Sequence, residues 1–123
     1  MKRMMIGILA TAILALPAVA EPYQKTIDGL MRASYRYMEL TYACRHVNGL
    51  AQYRNAEVAA ENAVRATGMP TDVAMSTVAR MASRIRAASS SGASADLHVC
   101  TVDIVQAKRQ LLDARAKFRR SQQ

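Results

Sequence analysis

From residue 22 onward, apolar side chains recur at three- and four-residue steps. Nowhere do they alternate with polar ones as a half-buried strand requires. The stripe Ile27, Met31, Ser34, Met38 and Thr41 predicts a first helix from Pro22 to Val47, with proline at an early helical position. Asn48-Gly49 ends it. A second helix, Leu50 to Thr67, carries Leu50, Tyr53, Ala56, Ala60 and Val64 on one face, and Glu61 and Arg65 are spaced for an i,i+4 pair. Gly68 suits the position just past its end, and Pro70 bars continuation. Thr71 is placed to cap a third helix with Asp72 in its first turn and a stripe of Met75, Val78, Met81 or Ala82, and Ile85. The run Ser89 to Ser94 predicts a flexible loop. The last helix, Ala95 to Arg119, has the strongest period, through Leu97, Cys100, Ile104, Ala107, Leu111, Ala114 and Phe118.

Four helices joined by short turns predict an all-α fold, a four-helix up-down bundle. In that arrangement the end of the first helix and the start of the last lie at one end of neighbouring antiparallel helices. Cys44 and Cys100 are therefore expected to form a disulfide, closing a loop worth about 4 kcal/mol in loop-closure entropy. The bond matters because the core is thin. Beyond residue 20 the chain has few Leu, Ile, Val and Phe and many Ala, which favour helix and permit close packing but bury little area each.

The first twenty residues follow a different pattern. Lys2 and Arg3 precede an uncharged run from Met4 to Ala20, interrupted by Pro17 and ending in Ala18-Val19-Ala20. A positive start, an apolar centre and small residues at the end predict a cleavable signal peptide, 1–20, followed by a single helical domain, 21–123. The expected location is periplasmic or secreted. No cysteine stands at the cleavage point to accept a lipid.

Candidate chemistry is sparse. Cys44-Arg45-His46 and His98-Val99-Cys100 place two imidazoles beside two thiols, but residues two apart on a helix point in nearly opposite directions. The expectation is a disulfide flanked by two histidines and no metal site, with metal handling through Cys44, His46, His98 and Cys100 as the third alternative after protein binding and a holdase. Gly-x-Ser-x-Gly and Cys-x-x-Cys-His are both missing from the sequence. Asp96 and Asp103 share a face of the last helix, yet they flank its apolar stripe as surface charges. The sequence thus predicts neither an enzyme nor a cofactor.

Charge gives a different lead. The chain carries 17 basic against 9 acidic residues, a net +8. Arg80 and Arg84 lie one turn apart, and Lys108, Arg115 and Arg119 share a flank of the last helix. Nucleic acid is an improbable partner for an exported protein. Another periplasmic or secreted protein is expected, with weak contact to an anionic membrane surface as a secondary role. On the first helix Arg32, Tyr35, Glu39, Tyr42 and His46 form a second stripe beside the apolar one. Mixed aromatic and charged faces suit interface edges. Arg32, Tyr35, Glu39, Tyr42, Arg80 and Arg84 are the predicted partner-binding residues.

The layout of Cys44-Arg45 before a turn, Arg65-Ala66-Thr67-Gly68 ahead of the third helix, and Cys100 opening the final amphipathic helix resembles that of type II secretion pilotins. These are small exported helical proteins. The resemblance implies an adaptor that binds another secretion component, although pilotins carry a lipid-accepting cysteine that this sequence lacks. Acid-stress periplasmic chaperones are similar in size, helicity and single bridge, which implies a holdase as the alternative function. Periplasmic immunity proteins share the general build.

Overall fold

The computed structural model describes residues 20–89 and 95–122. The expected signal peptide up to residue 19, and the serine loop from 90 to 94, lie outside the described residues. The order of elements is α1 (Ala20–Ala43), α2 (Arg45–Asn48), α3 (Leu50–Ala66), α4 (Thr71–Ser89), a π-helical turn (Val99–Asp103) and α5 (Ile104–Ser121). All regular structure among the described residues is helical, as the sequence predicts. Both helix-ending glycines have positive φ, 88° at Gly49 and 94° at Gly68. A Cβ disfavours that backbone, which is why glycine ends each helix.

Two elements depart from the sequence pattern. The first predicted helix divides at Cys44, where φ −94° and ψ 8° interrupt it before the short α2. The last helix opens with a π-turn rather than regular α geometry, and Asp96 Oδ1 accepts a hydrogen bond from the Val99 N–H at 2.9 Å at its start. A π-turn inserts one extra residue per turn and so shifts the phase of everything before it. Leu97, predicted to lie on the buried stripe, is instead 66% exposed. The stripe from Cys100 onward keeps its place: Cys100, Ile104, Ala107, Leu111 and Phe118 are buried and Ala114 partly so.

The core gathers around α1, which packs against α3, α4 and α5. A helix with three neighbours buries a wide arc, so Leu30, Tyr37, Leu40 and Cys44 join the predicted Ser34, Met38 and Thr41 in the interior. The two buried hydroxyls stay within their own helix: Ser34 Oγ donates to the Leu30 carbonyl at 2.8 Å, and Thr41 Oγ1 to the Tyr37 carbonyl at 2.9 Å. Local pairing removes the penalty of an unmatched buried donor. On α3, Tyr53, Ala56, Ala60, Ala63 and Val64 are buried, and on α4 Ala74, Val78, Ala82 and Ile85. Leu50 and Met75, both expected on buried stripes, are exposed. At Met75 the neighbouring Ala74 occupies the interior, because a close helix pair admits a methyl where a longer side chain does not fit.

Cys44 and Cys100 form the predicted disulfide, with Cα atoms 5.4 Å apart. Beside it, Asn48 Nδ2 donates to the Cys100 carbonyl at 3.0 Å. At the other end of the same helix pair, Tyr23 and Phe118 pack with ring centroids 5.7 Å apart, and the hydroxyls of Thr26 and Ser121 lie 3.3 Å from each other. Contacts that pair early α1 with late α5, and late α1 with the turn before α5, make the two helices antiparallel. Among the described residues, no helix is long and apolar enough to cross a membrane.

Candidate functional site

The outward arc of α1 has two edges. On one, Tyr42 is held from two sides: its ring meets Tyr53 of α3 edge-on, with centroids 5.0 Å apart and planes at 62°, and the Arg45 guanidinium sits 4.0 Å from its centroid. Arg45 is itself fixed by donating to the Tyr42 carbonyl at 2.8 Å. Edge-on aromatic pairs and cation–π contacts each add to simple area burial. Tyr42 nevertheless remains only partly buried, as does Tyr35, and both pack against the core. Glu39, between them, is paired with Arg36 at 3.1 Å. Its charge is therefore locally answered.

A small crevice of about 180 Å³ runs along this edge, with Glu39 and Tyr42 on the α1 side and Ile85, Ala88 and Ser89 on the α4 side. Arg80, Arg84 and Ala88 succeed one another at four-residue steps, so the two exposed arginines continue the α4 row that ends in the crevice. Glu39 and Tyr42 thus line this crevice, with Tyr35 on the same face of α1, while Arg80 and Arg84 stand exposed on α4 two turns and one turn before Ala88.

Arg32 belongs to the other edge. Between α1 and α5 lies a larger groove, about 730 Å³, floored by Gly29, Ala33 and Ala114. Lys25, Arg32 and Arg36 stand along its α1 side and Lys117 on its α5 side, with Asp113 as its one acid. Neither Arg32 nor Lys117 forms an ion pair with any described residue. Sequence reasoning selected Arg32 alone from this group. A signal for the rest was present, since Gly29 and Ala33 fall one turn apart on the face that also bears Lys25 and Arg36. From sequence alone, small residues at helical spacing indicate close packing rather than an open groove.

Burial raises the Tyr37 phenol above its ordinary value. It also raises that of Tyr53, where the Glu57 carboxylate adds to the rise and Arg86 opposes it. The Tyr53 hydroxyl is buried without a partner of hydrogen-bond geometry. The two cysteines are joined to each other, and His46 and His98 are exposed, His98 Nε2 lying 3.8 Å from Asp103 Oδ1. Among the described residues, no three His, Cys, Asp or Glu side chains gather closely enough to hold a metal ion. Arg65, expected to pair with Glu61, instead donates to Asn62 Oδ1.

Comparison of the chain with models of protein families, with curated proteins and with solved structures gives no match.

Proposed function

We propose that this chain is a non-catalytic exported protein that binds another protein through the border of α1 and α4. In this reading residues 1–20 are a cleaved signal, the four long helices alternate up and down, and the role is that of a pilotin-like adaptor or an inhibitor. The observation that carries it is the setting of Tyr42. Tyr53 and Arg45 fix the ring while part of it stays in solvent. A rigid, half-exposed aromatic loses little freedom on association, which is the property that makes tyrosine a frequent anchor at interfaces. Arg80 and Arg84 then act as steering charges beside the contact.

The test is photo-cross-linking in the exporting cell from position 35, which lies on this border and outside the Tyr42 stack. A binder gives one dominant adduct of defined mass, and reversal of Arg80 and Arg84 to Glu slows its formation. Absence of any adduct from position 35 overturns the assignment.

A stress chaperone is the second reading. It is favoured by the exposed Leu97, Val102, Val105 and Leu112 along the last helical segment, since solvent-facing apolar side chains are what a holdase offers to unfolded clients. Cross-links spread over many clients, with suppression of their aggregation, would replace the first reading by this one.

A further inference from the structure

We propose that the groove between α1 and α5 is the seat of an acidic helical segment of a protein partner. The occupant's class rests on the protein-binding reading above, whereas the groove lies on the opposite edge of α1 from the tyrosines.

Three features of the groove select this occupant. Its cations are strung out rather than convergent: Lys25, Arg32 and Arg36 follow one another at seven- and four-residue steps on α1 and so span about 16 Å of helix axis, and because Arg36 is already paired with Glu39, Arg32 and Lys117 carry most of the attraction. A single phosphate or carboxylate is best held by donors that point at one place. A row of this length matches instead a linear array of carboxylates, such as one face of a helix with Glu at the same steps. The floor, next, consists of Gly29, Ala33 and Ala114. Small side chains let a helix backbone approach closely, and they offer no aromatic platform on which a nucleic-acid base would stack. Finally, Asp113 and Gln110 stand in the wall on the α5 side. A polyphosphate has no donor for the Asp113 carboxylate and is repelled by it, while a peptide with one amide or basic side chain among its acids is accommodated.

Gly29 points the same way by a separate route. It sits within α1, where glycine weakens a helix, and its φ is not positive. A Cβ built on it meets no atom within 4 Å. Neither backbone geometry nor packing inside the fold calls for glycine there. What it does is keep the floor of the groove open beside Arg32 and Arg36.

The purified protein is titrated at low salt with a fluorescent Ala-based helical peptide of about 18 residues bearing Glu at 4-, 3- and 4-residue steps, and with its Gln counterpart. The expected result is binding of the Glu peptide, roughly tenfold weaker for the Gln peptide and for the Arg32→Ala/Lys117→Ala variant, a loss equal to one decade in Kd. Gly29→Leu should abolish binding while helical circular dichroism and the melting temperature are kept. The double variant Lys108→Ala/Arg119→Ala, on the flank of α5 opposite the one that bears Gln110, Asp113 and Lys117, removes the same charge and should change Kd by less than about threefold. The proposal is overturned if the Glu peptide does not bind, if the far-side variant weakens it as much as the groove variant, or if a folded Gly29→Leu protein still binds. It is also overturned if phosphatidylglycerol vesicles or a DNA oligonucleotide compete through Arg32 and Lys117 more strongly than the peptide. Should Gly29→Leu misfold, the exposed pair Arg32 and Lys117 decides the question. Cross-linking from position 35 is unaffected by these substitutions, so failure of the groove leaves the protein-binding reading standing, and loss of that cross-link leaves the groove measurement intact.

Discussion

The two edges of α1 are built from the same backbone and are opposite in character. On the side of α3 and α4, large side chains close the gap: Tyr42 of α1, Tyr53 of α3 and Arg45 of α2 interlock, and the crevice beside them against α4 is about 180 Å³. Toward α5, Gly29, Ala33 and Ala114 leave about 730 Å³ with charges standing along its rim. Side-chain size at a few positions, rather than the path of the helices, decides whether a seam is filled or open. The filled edge derives its order from ring contacts. The open edge depends on its two ends, the Cys44–Cys100 bond and the Tyr23–Phe118 contact.

Breaking the disulfide should therefore produce the largest effect, and it should fall unevenly on the two edges. Replacing both cysteines by alanine removes the closure of a loop spanning 56 residues, worth about 4 kcal/mol. Such a loss is a large part of the stability of a small domain. Denaturant unfolding of this variant against the oxidised protein measures it. Hydrogen exchange sharpens the comparison, since amides of α5 should lose protection before those of α3. Equal loss in both helices would mean that the open edge is no more dependent on the bond than the filled one.

The next effect separates Tyr42 from Tyr35. From sequence alone both are rim positions that can be truncated at little cost. The structure distinguishes them, because Tyr42 belongs to the interlocked set and Tyr35 does not. Tyr42→Ala should cost about 2 kcal/mol through loss of the Tyr53 and Arg45 contacts. Tyr35→Ala should stay within about 1 kcal/mol. Thermal melts of the two variants check this, and similar values for both would show that the ring contacts do not order the edge.

Tyr53 and Tyr37 extend the same comparison to pH. Both phenols are raised above their ordinary value by burial. Below about pH 10 the phenols are protonated in folded and unfolded chains alike and give no pH dependence. Above it the unfolded chain loses these protons while the folded chain retains them, so the unfolded state binds fewer protons and stability falls as pH rises. Tyr53→Phe should flatten this alkaline fall. At neutral pH its effect should stay within about 1 kcal/mol, because the buried hydroxyl it deletes has Glu57 beside it but no well-formed hydrogen bond. Denaturant midpoints at pH 7 and in the alkaline range test both statements, and an unchanged alkaline limb would place the titration elsewhere.

Much of this fold can be read from spacing. Helix type, the two glycine stops and the disulfide follow from the period of apolar residues and the positions of Gly49, Gly68, Cys44 and Cys100. Where spacing and structure part, the causes are close helix packing and a local change of helix type. The apolar period favours Met75 over Ala74 and places Leu97 inside, whereas close helix packing selects small residues and the π-turn at Cys100 changes the phase before it. The groove is hidden in the sequence as well. Its floor is made of residues whose importance lies in what they omit, and a single sequence shows that omission only once the opposing helix is known. Arg80 and Arg84 are legible as a row, whereas the crevice that joins Ala88 to Tyr42 requires the packing of α4 on α1.

Gly29 provides the smallest expected effect and a direct probe of the open edge. In a helix interior glycine is less favourable than alanine by about 0.5–1 kcal/mol, because its backbone has more freedom to lose. That deficit is normally tolerated where a Cβ would clash or where φ is positive. Neither holds here, since the space beside Gly29 is empty to 4 Å and its φ is ordinary. Gly29→Ala should then stabilise the protein by about 0.5–1 kcal/mol, with the unfolded chain supplying most of the change. A control exists one turn later in Ala33, where the reverse change, Ala33→Gly, should destabilise by a similar amount plus the contact its methyl makes with the core. Chemical denaturation of the two variants resolves differences of this size. If Gly29→Ala is neutral or destabilising, α1 and α5 are already in close contact at that point and the open edge is narrower than its volume indicates; if it stabilises, the chain retains at Gly29 a residue that its own fold does not require.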